Sequence, residues 1–400
     1  MQHMIDQFSG RKAKEVYDWI RKWGTISKQE IKEHSGLTTS TLTRILEELT
    51  TAGFIVEVGL GDSTGGRPPI LYRTNAQYGY VFGLDISRLY TKLVLCDMHV
   101  AKLDSYTWRL NESMTPELLF QQVVAEVKRM MDKHGIPLSS VLGIGVGAVG
   151  PLDRRSGTII EPLNFPSRGW EHVEITTLLK EQLDFAVFLD SGANTALLGE
   201  YWHSAERMEH LLYVHVGVGI RSSMMVGGNI VYGAVDMEGA VGQMIIQSDG
   251  IAPRHTSGNY GSWESYTSIH ALEQAAISYM KQGRKSSLSN KAAHVDAITF
   301  TMLEAALREG DSLAREVFTQ SACYFGIGLA NLLNILHPQK VILGGPLITG
   351  NDLFYEYAKQ VAIQKTYHYP LYQVIFEQSK LADDAVAVGA AATVIQQLTA

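Results

Sequence analysis

Four hundred residues, 46% hydrophobic and 19% charged, are enough chain for two or three buried cores and exclude a disordered protein. The net charge of −7 is uneven: residues 1–75 hold ten Lys/Arg against nine Asp/Glu, so a near-neutral head sits on an acidic body, compatible with nucleic acid at the head only. Two cysteines, Cys96 and Cys323, exclude a disulfide framework and a Cys-rich zinc cluster, and with no apolar leader or bilayer-length apolar run the expectation is a cytoplasmic protein.

Along the chain, Ala13, Val16, Tyr17, Ile20 and Trp23 fall at helical spacing, and Gly24 ends that helix. Ser27 with Glu30 forms a capping box opening a short helix to about His34. After Ser35-Gly36 a further helix begins near Thr38, with Leu42, Ile45, Leu46 and Leu49 on one face. Two short helices around a Gly-containing turn predict a helix-turn-helix. Its second helix leaves Thr39, Ser40, Thr43 and Arg44 off the apolar face, where hydroxyls and a guanidinium can meet phosphates and base edges. Thr38, at the helix start, is included among the candidate DNA contacts. Two β-rich runs, 54–58 and 70–73, flank Gly-rich residues 59–69 and read as a wing hairpin. Arg67 in that loop is the candidate for a minor-groove or phosphate contact.

The body reads as strands 80–86 and 89–96, a helix 115–135, and a strand from Val141 entering a Gly-rich turn at Gly145–Asp153. A similar set follows: strand 211–219 with its continuations, a helix at about 263–278, a helix 322–336, a strand 341–345 and a last helix at about 385–398. Alternating strands and helices make this α/β. The expected fold is an N-terminal winged helix-turn-helix followed by a two-lobed actin-like, hexokinase-like (ribonuclease H-like) ATPase fold. The expected domains are the head at 1–75, a first lobe at 76–190 and a second at 191–400. A return of the C-terminal helix to the first lobe is left open.

The winged helix, the Gly65-Gly66-Arg67-Pro68 wing, Asp85-Ile86, the Gly145–Asp153 turn, the Pro162–Trp170 stretch, Ala193–Glu200, Gly344-Gly345 and the last helix occur in an order that resembles the ROK family of repressors and sugar kinases. The head places the resemblance with the xylose-type repressor branch. Against the family's kinases, Gly192 stands where the resemblance puts the general base, and phosphoryl transfer to a hydroxyl needs an acceptor for its proton. Asp190 is two residues away, a displacement of about 6–7 Å along a strand. The two phosphate turns carry Ser87-Arg88 and Ile220-Arg221 where the kinases resemble glycine runs, so bulk stands in the way of backbone cradling, although either Arg could attract a phosphate by charge. The family's zinc motif has Gln243 in place of its His and no Cys in residues 244–264, so no metal is expected; nor is any cofactor.

The resemblance implies a surviving sugar site. Glu264 matches the family glutamate that contacts sugar hydroxyls, Asn164 the Asn of its Pro-Asn stretch, and Gln243 its His. Trp170 and Asp190 complete the candidate effector set, as an aromatic surface and a further hydrogen-bonding acid. The expected protein is a non-enzymatic repressor of carbohydrate-utilisation genes, with double-stranded operator DNA, a sugar or sugar phosphate held between the lobes, and a second copy or a tetramer as partners. The alternatives are a sugar kinase with a regulatory head, and a repressor controlled by a protein partner.

Overall fold

The computed structural model describes residues 10–61, 68–163, 165–204, 206, 208–369 and 371–399, and at Glu238 the backbone alone. The head begins with α1 (Arg11–Trp23), which buries Ala13, Val16, Tyr17 and Ile20 and stops at Gly24. The two-residue β1 (Ile26–Ser27) leads into α2 (Lys28–Ser35). The capping box forms as expected: Ser27 Oγ accepts from Glu30 N and Glu30 Oε2 accepts from Ser27 N at 2.8 Å. Gly36, left-handed at φ 64°, turns the chain into α3 (Thr39–Thr51), which buries Leu42, Ile45, Leu46 and Leu49. β2 (Ile55–Leu60) and β3 (Ile70–Thr74) pair antiparallel, and β1 adds to β3 in the order β1-β3-β2. This is a winged helix.

The first lobe follows with β4 (Tyr80–Ile86), β5 (Tyr90–Asp97), β6 (Lys102–Arg109), α4 (Pro116–His134) and β7 (Val141–Ala148). A small antiparallel sheet of β8 (Leu152–Asp153), β9 (Thr158–Ile159) and β10 (Val173–Glu174) precedes α5 (Ile175–Lys180), β11 (Ala186–Ser191) and α6 (Gly192–His203). Its main sheet has the order β11-β7-β4-β5-β6, with β4, β7 and β11 parallel and β5 and β6 antiparallel meanders.

The second lobe contains β12 (Leu211–Val216), β13 (Ile220–Val226), β14 (Asn229–Ile230), α7 (Trp263–Tyr266), α8 (Ile269–Lys281), α9 (Phe300–Arg308), α10 (Ser312–Leu336), β15 (Lys340–Gly344), α11 (Asp352–Lys365) and β16 (Ile375–Gln378); the last helix is α12 (Ala385–Thr399). Its sheet order, β14-β13-β12-β15-β16, repeats the first in topology and strand direction. Two copies of this mixed sheet are the actin-like, hexokinase-like arrangement expected from the sequence. α8, α9, α10 and α11 bury their apolar faces with Val214, Val216 and Leu343 of the sheet in one core.

Three details differ from the sequence reading. The glycines at 145 and 147 are not a turn but the interior of β7. A Cβ on Gly145 would run into the carbonyl of Ala390, and one on Gly83 of β4 into that of Ala387, so α12 packs backbone-close on this sheet. α12 therefore returns to the first lobe. The helix expected at 263–278 is broken. Thr267 leaves helical geometry and gives its hydroxyl to Trp263 O, Ser268 caps α8, and Ile269 N donates to Gly217 O. The chain divides into two compact units, the boundary falling after Thr195 inside α6 and not before Ser191. One unit takes residues up to Val149, Asp153–Thr195 and the chain from Val386; the other takes Gly150–Leu152 and Ala196–Ala385.

Candidate DNA-binding and effector sites

α3 turns its leucines and isoleucine inward, leaving much of its opposite face to solvent. Thr38, Thr39, Ser40 and Arg44 are all exposed there. Thr38 caps the helix, its Oγ1 accepting from Thr41 N and sharing a 2.9 Å hydrogen bond with Thr41 Oγ1. Thr43 is different. Its hydroxyl donates to Thr39 O at 2.7 Å and accepts from Lys28 Nζ, so it braces α2 against α3. Arg67 lies outside the described residues.

In the first unit, β11 ends at Ser191 and α6 begins at Gly192. Asp190 is only 5% exposed. Its Oδ1 accepts from Ser191 N at 2.7 Å and from Asn194 Nδ2 at 2.9 Å, and Asn194 N donates to Ser191 Oγ. The carboxylate thus ties down the first turn of α6, where the orphan amides of a helix start need acceptors. Gly192 has no side chain to receive a proton. The offset also differs from the sequence estimate, because Asp190 is on a strand and Gly192 on a helix.

Trp170 is 2% exposed. Its Nε1 donates to Ser167 Oγ, which donates to Met114 O, and its ring packs on Phe165 and Phe120. It supports residues 165–169 from beneath. Asn164 lies outside the described residues. Arg88, in the turn between β4 and β5, reaches Leu163 O through a 2.8 Å bond from its Nε.

In the second unit, the turn Gly217–Gly219 joins β12 to β13 and is closed by Gly217 N donating to Gly219 O. Glu264, half-buried on α7, lies directly against it: Oε2 accepts from Ile220 N at 3.2 Å. A backbone N–H of the kind that glycine turns offer to phosphate is here given to an internal carboxylate. The other oxygen, Oε1, accepts no hydrogen bond among the described residues. Glu264 can therefore accept from an incoming hydroxyl.

Gln243 stands close by in sequence to Glu264's supports, and its carboxamide is half-committed. Oε1 accepts from Asn259 N and the backbone carbonyl accepts from Asn259 Nδ2, both at 2.9 Å. The sequence reading missed Asn259, whose signal was only its place in the segment that replaces the cysteine cluster. Trp263 N donates to Met244 O and Ile251 N to Tyr266 Oη, so hydrogen bonds hold the segment that carries Glu264. Among the described residues no group of three or more His, Cys, Asp or Glu could hold a metal ion. On α8, burial pushes His270 down, with Arg254 and His255 adding to it, and pushes Glu273 up, so both are biased to neutral forms.

A model of the ROK family matches residues 81–397. The chain is 29% identical to the xylose repressor of Caldicellulosiruptor bescii over 378 residues, covering 93% of this chain and 92% of that one. Its structure is similar to that of a ROK family transcriptional regulator described as a homolog of the E. coli MLC protein, with a TM-score of 0.80 at 21% identity over 99% of this chain and 97% of the other. It is also similar to a ROK glucokinase from Streptomyces griseus in complex with glucose and AMPPNP, with a TM-score of 0.67 at 22% identity, over 80% of this chain and all of the kinase. With most of its length matched by that model, the chain belongs to the ROK family.

Proposed function

We propose that this protein is a transcriptional repressor of carbohydrate-utilisation genes, that a sugar sets its operator affinity, and that it does not phosphorylate that sugar. One observation carries the reading: a winged helix with an open recognition face precedes a kinase-type body whose base position is Gly192. The relative named a xylose repressor supports the same reading and makes D-xylose the first sugar to try.

In this reading Thr39, Ser40 and Arg44 contact DNA, Thr38 and Thr43 shape the helix that presents them, and Arg67 adds a wing contact. Two heads of a dimer would meet half-sites about 34 Å apart, one helical turn. Glu264 accepts from sugar hydroxyls through Oε1, and Gln243 and Asn164 are further effector contacts; Asp190 braces the start of α6 and Trp170 the chain around Ser167. The sugar favours one of two body states, and its differential affinity for them is what lowers operator affinity. The protein works in the cytoplasm, where its DNA is. No described helix is long and apolar enough to cross a membrane.

The test is a band-shift titration of DNA from upstream of sugar-utilisation genes, with and without D-xylose and a panel of other pentoses and hexoses. One sugar is expected to weaken binding at least tenfold, about 1.4 kcal/mol. Equal affinity with every sugar overturns the effector role, and ATP-dependent phosphorylation of any sugar overturns the non-enzymatic reading.

A further inference from the structure

Only five residues, Asn75–Gly79, separate the wing strand β3 from the first strand of the body, β4. They are not a free linker. Asn75 N donates to Phe54 O and Asn75 Nδ2 to Gly53 O, both at 2.9 Å, folding the start of the connection back onto the head. Tyr78 packs against Phe54, the rings tilted by 35° with centroids 4.5 Å apart, and Phe54 packs in turn on Tyr17 of α1.

From the body side, the β5–β6 turn reaches out to meet this connection. His99 Nε2 lies 2.8 Å from Thr74 O and 3.0 Å from Thr74 Oγ1, and Met98 N donates to Ala76 O. A carbonyl can only accept, so Nε2 carries the proton. Thr74 is the last residue of β3 and is 4% exposed. The turn is itself stiffened: Asp97 Oδ1 accepts from both His99 N and Ala101 N. Val100, fully buried, is held at φ 59°, a region costly for a β-branched side chain. A strained and over-determined turn that ends in one imidazole on the last wing residue is more than a domain junction requires.

We infer that His99 is the positioning residue that locks the DNA-binding head to the first lobe, so that any movement of the lobe carries the recognition helix with it. This rests on the repressor reading for its purpose, but the lock is a mechanical property that can be tested alone. An imidazole lost here frees the head to rotate about residues 75–79. It then still binds DNA but no longer reports the state of the body.

The experiment uses the intact protein, its His99→Ala variant and the conservative His99→Gln variant, whose amide can still donate to Thr74 O. Hydrogen–deuterium exchange is followed in peptides from 54–78 and, as a reference, from α10. Affinity for a duplex enriched from a random pool by the wild-type protein is measured with and without D-xylose. His99→Ala is expected to raise exchange in 54–78 about tenfold while α10 is unchanged. It should keep sugar-free affinity within about threefold and lose most of the wild-type sugar response, and His99→Gln should restore both. Unchanged exchange in His99→Ala overturns the inference. So does raised exchange with the full sugar response intact, and so does failure of His99→Gln to restore protection. If the wild-type protein itself ignores D-xylose and every other sugar, the effector reading falls, and the exchange data still decide the lock.

Discussion

A methyl group at position 219 would lie 2.5 Å from Glu264 Oε2, closer than real contacts allow. Gly219, in the turn between β12 and β13, therefore has a reason to be glycine: it leaves room for the carboxylate. Gly219→Ala should displace Glu264, and Glu264→Gln should remove its charge while leaving its shape. Both are expected to reduce the sugar-induced rise in melting temperature, Glu264→Gln by about tenfold or more in affinity, in line with about 1.5–3 kcal/mol for a hydrogen bond to a charged group. A sugar titration followed by thermal melting checks this; a Glu264→Gln variant with wild-type affinity would remove Glu264 from the site. Away from the site, Asp104 is held at about 2 by the hydrogen bond from Lys133, with His134 assisting. A carboxyl depressed in the folded state stabilises above its unfolded pKa near 3.8 and loses that contribution as pH falls toward 2. Asp104→Asn should thus cost about 1 kcal/mol or less at neutral pH, after solvent screening, and the gap to wild type should close between pH 4 and 2 in acid melts.

At the scale of elements, local rules carried the reading furthest where the partners are near in sequence. The capping box Ser27–Glu30, the stop at Gly24 and the apolar stripe of α3 all formed where their residues predicted, because a helix cap and a 3.6-residue period are satisfied within a few residues. The errors came where distant chain decides. Glycines signal turns on average, but Gly145 lies inside β7 and, like Gly83 of β4, serves an α-helix that arrives from residues 385–399, and nothing near it in sequence announces it. The break at Thr267 arises because Gly217 O takes the amide of Ile269, again a distant partner. In the candidate sites, Glu264 was readable through family resemblance, whereas Asn259 and His99 were not, since their roles exist only as distances. Gly145→Ala should cost about 1–3 kcal/mol or more through overpacking, read as a lowered denaturation midpoint, whereas Gly24→Ala, with open space at its Cβ, should cost only the strain of its positive φ. Thr38→Ala, which removes the α3 cap, should cost about 1 kcal/mol in stability. Arg44→Ala should lower operator affinity and reduce the slope of log K against log salt by about one if Arg44 meets a phosphate.

For the whole molecule, repeating one sheet topology twice gives each unit its own sheet and packed helices. Gly192 fits its place, because there the chain needs only the start of a helix. The return of α12 to the first lobe has a further consequence. A ribosome delivers the head and the strands β4 and β7 first, and the helix that lies on Gly83 and Gly145 only much later. Until residues 385–399 emerge, the platform that carries the recognition helix lacks one of its faces. A chain cut short before α12 should therefore display a folded head on an unfinished support, and limited proteolysis should cut its first lobe faster than that of the full chain.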